Sequence, residues 1–440
     1  MNPMFEDTIF ALSSGRLPSG VAVVRVSGPK TRFVIETICG NLPSARVARL
    51  CSFKDLEGAL IDRGLLLFFP TPHSFTGEDC AEFHLHGGKA VVDAMITVLY
   101  GFEGCRLAEA GEFSRRAYTN GKFDLTAAEG LADLIAAETD SQRRLALQIS
   151  SGAQAQLYSG WRTDLISARA MIEAELDFAD ESDVPESVSD RVWTMMADLA
   201  DRMAQHVRDG KRGAIIRDGY KVVIIGAPNA GKSSLLNTLA GSDVAIVSDE
   251  PGTTPDLIEI RLDVSGVPVL ITDTAGIRNT DGIVEKLGIE RALDRASAAD
   301  LVLSLHDLAQ PVFLDHMPTD NVIRLGTKAD LASGTAPTDY DLLISTRTNT
   351  GIEELLTLVT RKAIAAAGEV SDPLPTRRRH MELLNNANLE IRAAIDEKSA
   401  PLEVRAEYLR RASHFLGRIT GDVDVEDILD VVFSQFCIGK

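Results

Sequence analysis

A chain of 440 residues with 45% hydrophobic side chains exceeds one ordinary core, which predicts two or three soluble globular domains and excludes a disordered or fibrous chain. A formal charge of −19 repels polyanions, so nucleic-acid binding by the whole surface is excluded and any RNA contact is local or shared with a partner. Five scattered cysteines without a CxxC pair exclude a disulfide framework and a zinc site; no apolar run of about twenty residues and no signal-peptide order occur, so the expected location is cytoplasmic, with no membrane contact.

Between Asp7 and about Leu107, β-branched runs such as Val21 to Val26 and Gly64 to Phe69 alternate with Gly/Pro turns and one helix near Ala90, predicting a compact α/β domain. From about Leu125 to Gly210 the pattern turns helical. Thr126 and Glu129 have capping-box spacing; Trp161, Leu165, Ile172 and Leu176 form one apolar stripe, and Val192, Met195, Met196, Leu199, Met203 and Val207 another. Both stripes read as helix-bundle core. From Lys221 strands and helices alternate, with strands expected at Lys221 to Ile225, Val267 to Thr272, Leu301 to Leu305, Asn321 to Leu325 and Leu342 to Ile344, a largely parallel domain. After about Ala367 the joint SDPLPT leads into helices from Arg377 onward. Helices on both sides make the βα-alternating domain an insertion in one discontinuous helical domain.

The segment Gly226 to Ser233 fits GxxxxGK[ST] between an apolar strand and a helical run, the context of a phosphate-binding P-loop. Successive backbone N–H groups there curl around phosphate oxygens at a helix N-terminus. Asn229, Ala230, Gly231, Lys232, Ser233 and Ser234 are assigned to this loop. Lys232 places a point charge on the outer phosphates, and Ser233 gives a hydroxyl to magnesium, with Asp273 holding the same ion directly or through water. Gly326-Thr327-Lys328-Ala329-Asp330 follows the strand NVIRL, where a base-specificity loop belongs. The Asp330 carboxylate accepts from guanine N1–H and the exocyclic amine, a pair adenine lacks, so GTP is preferred to ATP. Thr327 stands where Asn is usual. Ser345-Thr346-Arg347 stands where a cap on the base is expected.

Two further segments read as sensors of the outer phosphate. The first comprises Ser248, Asp249, Glu250, Pro251, Gly252, Thr253 and Thr254, with Thr254 as second magnesium ligand. The second comprises Asp273, Thr274, Ala275 and Gly276. Ile277 follows, an apolar side chain that cannot orient an attacking water, so catalytic help comes from elsewhere. Glu285, in NTDGIVEK, is the candidate; on the residues alone it reads first as a solvated helix charge.

With these residues in place the chain resembles the MnmE (TrmE) family of tRNA-modification GTPases from Asp7 to Lys440. The resemblance rests on DTIFAL at Asp7, VAVVRVSG ending at Gly28, SFTGEDCAEFHLHGG ending at Gly88, AGEFSRRAYTNGKFDLTAAE ending at Glu129, the nucleotide motifs and the terminal CIGK. It implies an α/β multidomain fold: an N-terminal α/β tetrahydrofolate-binding and dimerisation domain over 1–120, a discontinuous helical-bundle domain over 121–216 and 369–440, and an inserted P-loop (Ras-like) G domain over 217–368. It implies a homodimer that works with a flavin-dependent partner, GidA or MnmG, in a heterotetramer or larger complex, adding an aminomethyl or carboxymethylaminomethyl group at C5 of the wobble uridine of certain tRNAs. It also implies potassium in place of an arginine finger, surrounded by Asn229, Ser248, Glu250 and Thr253, with Glu285 as the catalytic acidic residue.

By the same matching, Arg25, Glu82, Lys122 and Lys440 contact a 5,10-methylene- or 5-formyl-tetrahydrofolate; by themselves Arg25 and Glu82 read as ordinary polar strand positions. His84 and His86 share a strand face with Glu82 but lack a third metal ligand, so packing beside Gly87 and Gly88 is the preferred reading. Cys437 reads either as a redox or nucleophilic thiol or as packing for the tail. Besides Thr327, Pro255 departs from the family's usual Arg and Ala227 from a commonly longer side chain. Arg377, Arg378, Arg379 and His380 form a local basic cluster, read first as a solvated helix start. A ribosome-assembly or RNA-binding GTPase without folate chemistry is the alternative; the folate-type motifs and CIGK tail weigh against it.

Overall fold

The computed structural model describes residues 5–177, 188–246, 259–273, 294–312, 321–331, 339–368, 373–423, 426–434 and 436–439. The chain divides into two compact units, one of residues 1–132, 149–164 and 413–440, the other of 133–148 and 165–412.

The first unit is built on a six-stranded sheet in the order β3-β4-β5-β2-β1-β6, comprising β1 (Thr8–Leu12), β2 (Ser19–Ser27), β3 (Arg49–Lys54), β4 (Leu60–Phe69), β5 (Cys80–Gly87) and β6 (Cys105–Leu107). Alternation in β2 and β5 turns Val24, Val26, Ala81, Phe83 and Leu85 inward. Helices α1 (Thr31–Cys39) and α2 (Lys89–Tyr100) supply Val34, Ile35, Ile38, Met95 and Leu99 to that core. On β1 the alternate residues Ile9 and Ala11 instead pack with Ala108 and with Phe113 of α3 (Glu112–Thr119).

A buried charge network ties the beginning of this unit to α3. The fully buried Arg116 donates to Asp7 Oδ1 at 2.7 Å, Glu112 Oε1 at 3.0 Å and Glu78 Oε1 at 3.3 Å, while Arg106 meets Asp7 and Glu112 at 2.6 Å each. Burial pushes the Asp7 and Glu112 carboxyls up, but the guanidiniums outweigh it and hold both below the ordinary range; burial wins at Glu78, which is raised.

Helix α4 (Leu125–Ala136) begins at a different cap from the one the sequence suggests. Asp124 Oδ1 accepts from the backbone N–H of Thr126 at 2.8 Å and of Ala127 at 3.2 Å, so the short carboxylate caps the first turn while Thr126 and Glu129 lie inside it, buried. The C-terminal segment returns to β1. Ser13 Oγ donates to the Gly439 carbonyl at 2.7 Å, and Gly439, at φ +97°, passes so close that an added Cβ would lie 2.2 Å from the Leu12 carbonyl oxygen.

The next helices are α5 (Asp140–Ser150), α6 (Ala153–Asp177) and α7 (Val188–Asp218). Val192, Met196, Leu199 and Met203 are buried at i, i+4, i+7 and i+11, whereas Met195 is 44% exposed; at 100° per residue it falls off the stripe in which the sequence reading placed it.

The second unit holds a seven-stranded sheet in the order β13-β12-β11-β7-β10-β9-β8, formed by β7 (Tyr220–Gly226), β8 (Ala245–Ile246), β9 (Glu259–Val264), β10 (Val267–Asp273), β11 (Leu301–Asp307), β12 (Val322–Thr327) and β13 (Leu342–Leu343). The central strands run parallel and β9 antiparallel, as expected of a largely parallel domain. Helix α8 (Lys232–Ala240) follows β7, α9 (Ile352–Ala367) follows β13, and α10 (Arg378–Asp396), α11 (Leu402–Thr420) and α12 (Glu426–Phe433) complete the chain. Within this unit the β9–β10 turn rests on the start of α5. The N–H and Oγ of Ser141 both donate to the Gly266 carbonyl, at 3.1 and 2.5 Å, and Arg261 pairs with Glu138 at 2.9 Å.

Replacing Arg116 with Ala strands buried carboxylates, so denaturant unfolding is expected to show the first unit destabilised by about 3–5 kcal/mol near neutral pH. Asp7 and Glu112 have depressed folded pKa values, so their stabilisation is present above about pH 4 and is lost as pH falls through the folded values. Glu78, raised, acts in the opposite sense and gains on acidification. Acid titration of stability should therefore show a loss below about pH 4 that is smaller in Arg116→Ala, where Arg106 alone remains to hold Asp7 and Glu112 down; an unchanged acid limb contradicts the assignment.

Candidate nucleotide site

The site is assembled where the parallel strands end. At the end of β7, Gly226 passes so close to β11 that an added Cβ would lie 2.5 Å from the Leu305 carbonyl oxygen. Asn229 follows in the left-handed region at φ +64°, and Gly231 at φ +96° forms the N-cap of α8. Leu235, Leu236 and Leu239 anchor that helix in the core, leaving its N-terminus to face the loop. Such a turn presents backbone N–H groups and the positive helix end together, which is what a phosphate chain needs.

Lys232 is buried, and its Nζ donates to the carbonyls of Gly226 and Ala227, both at 2.9 Å. Burial lowers its pKa, and the nearby Asp273 charge partly opposes that. Ser233 Oγ donates to Asp273 Oδ2 at 3.0 Å, joining the helix start to the end of β10. Asp273 is almost fully buried. A hydroxyl and a carboxylate converging in this way suit a hard dication, which prefers oxygen donors.

The base-loop residues also come together. Ser345 Oγ donates to Asp330 Oδ1 at 2.7 Å, Arg347 Nη1 lies 4.0 Å from Asp330 Oδ2, and the Ala329 N–H donates to the Ile344 carbonyl at 3.1 Å. One oxygen of Asp330 is thereby oriented by Ser345, and both Ser345 and Arg347 stand beside it. Lys328, at φ +59°, pairs with Asp307 at 2.6 Å. That hydrogen bond, with a second from the Ala309 N–H, holds the Asp307 carboxyl below its ordinary value. Sequence reasoning passed over Asp307 and His306, although a polar pair closing the apolar strand LVLSLHD was the available signal. Thr327 Oγ1 lies 2.8 Å from the Ala230 carbonyl and 3.1 Å from the His306 carbonyl, linking this loop to the P-loop.

Ser248, Asp249, Glu250, Pro251, Gly252, Thr253, Thr254, Thr274, Ala275, Gly276 and Glu285 lie outside the described residues, as do Pro255, Ile277 and Lys440.

In the first unit, Arg25 and Glu82 face each other across β2 and β5, with Nη2 to Oε1 at 2.9 Å and Nε to Oε1 at 3.2 Å. The guanidinium lies 5.3 Å from the Phe75 ring centre and 5.7 Å from that of Phe113. A partly buried cation and acceptor among aromatic rings can recognise a planar, polar heterocycle. Lys122 Nζ donates to the Pro72 carbonyl at 2.8 Å, on the same loop system as Phe75. His84 Nε2 is 3.5 Å from Glu82, whereas His86 pairs with Asp62 at 2.9 Å, so the two histidines serve different carboxylates. Among the described residues no group of three ligating side chains could hold a metal. The Cys437 side chain is exposed, so any packing role of the tail falls to its neighbours Phe436 and Gly439.

The family model described as GTP-binding protein TrmE N-terminus matches residues 8–122, and that described as MnmE helical domain matches residues 125–437. A protein of Brucella canis named tRNA modification GTPase MnmE is 62% identical over 438 residues, covering 99% of both chains. One of the same name from Brucella anthropi is 60% identical over 437 residues, covering 99% of this chain and 98% of its own.

The Ser345–Asp330 contact gives a direct test. Ser345→Ala is expected to weaken guanine-nucleotide affinity by about three- to tenfold, the size of one ordinary hydrogen bond lost from the orientation of Asp330, in equilibrium titration. Unchanged affinity would separate Ser345 from base recognition.

Proposed function

From the premise that this chain belongs to the MnmE family of tRNA-modification GTPases, we propose how its own residues carry that activity. The chain is a GTP hydrolase acting in tRNA modification. The observation that carries the residue assignment is one connected track at the strand ends: Lys232 and the Ser233–Asp273 pair for the phosphates, and the Ser345–Asp330 pair for the base.

In this reading Asn229 to Ser234 wrap the phosphates, and Lys232 neutralises their outer charge. Ser233 and Thr254 hold magnesium, with Asp273 oriented toward the same place through its contact with Ser233. The ion offsets negative charge on the phosphates. Asp330 reads the Watson–Crick edge of guanine, flanked by Lys328 and Ala329 and oriented by Ser345, beside Thr346 and Arg347. Asn229, Ser248, Glu250 and Thr253 surround potassium; the left-handed backbone at Asn229 and its neutral amide oxygen fit a monovalent cation. Glu285 orients the attacking water, and residues 248–254 and 273–276 respond to the outer phosphate.

The Arg25–Glu82 pair, with Lys122 and Lys440, holds a tetrahydrofolate derivative. The fit rests on a half-buried cation and acceptor set beside Phe75 and Phe113. The folate supplies a one-carbon unit; the residues bind and orient it. The reading extends to a flavin-dependent partner of the GidA or MnmG type, with which an aminomethyl or carboxymethylaminomethyl group is added at C5 of the wobble uridine. A homodimer is favoured by the edge hairpin, where Leu50 and Leu65 stand opposite one another and are both exposed. No described helix is long and apolar enough to cross a membrane; a cytoplasmic location is part of the proposal.

Steady-state GTP hydrolysis in potassium against sodium at matched ionic strength tests the cation assignment; a clear potassium preference is expected, and equal rates overturn it. Glu285→Ala is expected to bind GTP normally but hydrolyse it about 10²-fold or more slowly. Normal turnover would remove Glu285 from the mechanism.

A further inference from the structure

Thr327 departs from the usual asparagine, and its surroundings show what its side chain does. It ends β12 almost fully buried, with Oγ1 2.8 Å from the carbonyl of Ala230 in the phosphate loop and 3.1 Å from the carbonyl of His306 at the end of β11. We propose that Thr327 is a positioning residue: its single hydroxyl proton locks the phosphate loop to the base loop and leaves the imidazole edge of the purine without a donor from this side chain. The proposal rests on the assignment of guanine to Asp330.

The first half follows from peptide geometry. In a trans peptide the carbonyl and the next N–H point in opposite directions. Holding the Ala230 carbonyl toward Thr327 therefore directs the Gly231 N–H away from it. Gly231 is the N-cap of α8, immediately before Lys232, so the orientation of this peptide decides which way one of the phosphate-loop donors faces. The second anchor is firm. The buried His306 ring is held between Ser304 Oγ at 2.9 Å and the Val312 carbonyl at 2.8 Å, and Asp307 beside it pairs with Lys328. Thr327 thus ties the phosphate loop to a strand end that is itself held in place.

The second half follows from proton counting. A threonine hydroxyl has one proton and otherwise only lone pairs. Two carbonyl oxygens within hydrogen-bond distance claim that proton. An asparagine amide carries two N–H protons and can serve a backbone carbonyl and a ligand acceptor together; threonine cannot. Base discrimination in this chain then falls on the Watson–Crick edge, through Asp330, and the N7 acceptor of the purine goes unread by position 327.

The test compares equilibrium binding of GTP, 7-deaza-GTP and XTP to the full chain and to Thr327→Val and Thr327→Ser. The natural protein should bind GTP and 7-deaza-GTP within about twofold, since 7-deazaguanine differs at the N7 acceptor. Thr327→Val should weaken both by the same factor, about three- to tenfold, and Thr327→Ser should restore both. A preference of about tenfold for GTP over 7-deaza-GTP in the natural protein overturns the proposal, and so does a Val variant that binds as tightly as the natural protein. The comparison within the natural protein needs no variant to fold. XTP separates the underlying reading: if the natural protein binds XTP as well as GTP, the Asp330 assignment fails, whatever the 7-deaza comparison shows.

Discussion

Parallel pairing of β7 with β10 and β11 is the constraint on which the nucleotide site depends. Parallel strands bring their C-terminal ends to the same edge of a sheet, and the connections that leave that edge form the crevice where ligands bind in open α/β sheets. Gly226, Asp273, Asp307 and Thr327 all close their strands there. Asp273 stands in register with Ile224, and Leu305 with Gly226, so an offset in either pairing would separate Ser233 from Asp273 or force the phosphate loop away from β11. The glycine at 226 is required because the approach to the Leu305 carbonyl leaves no room for a Cβ.

The same sheet also fixes a contact with the helical segment that opens with α5. The β9–β10 hairpin is bonded at its turn to Ser141 and at its flank to Glu138. Hydrogen bonds at the turn and an exposed ion pair at the flank form a contact that is specific in direction without being a large apolar interface.

In the first unit the controlling interaction is electrostatic. A fully buried guanidinium is tolerable only when its donors are satisfied, and Arg116 is satisfied by carboxylates from the chain start, the SFTGED segment and its own helix. The Phe75 loop is thereby fixed near Arg25, and the returning tail is threaded beside Leu12, where only Gly439 fits. Within this cluster both guanidiniums hold Asp7 and Glu112 down, whereas at Glu78 burial outweighs Arg116.

The sequence by itself determined the element types and the phosphate-loop motif, and singled out Asp330 as a candidate, because period, turn residues and GxxxxGK[ST] are local patterns with local physical causes. Arg25 and Glu82 were legible only through resemblance, since two polar residues on separate strands carry no local signal of being cross-strand partners. The cap at Asp124, the outward turn of Met195 and the exposed Cys437 thiol were decided by packing. The pairings Ser233–Asp273, Ser345–Asp330, Lys328–Asp307 and Thr327–Ala230 were likewise decided only in three dimensions. Each joins residues that are distant in sequence, and sheet register, not spacing along the chain, sets which of them meet.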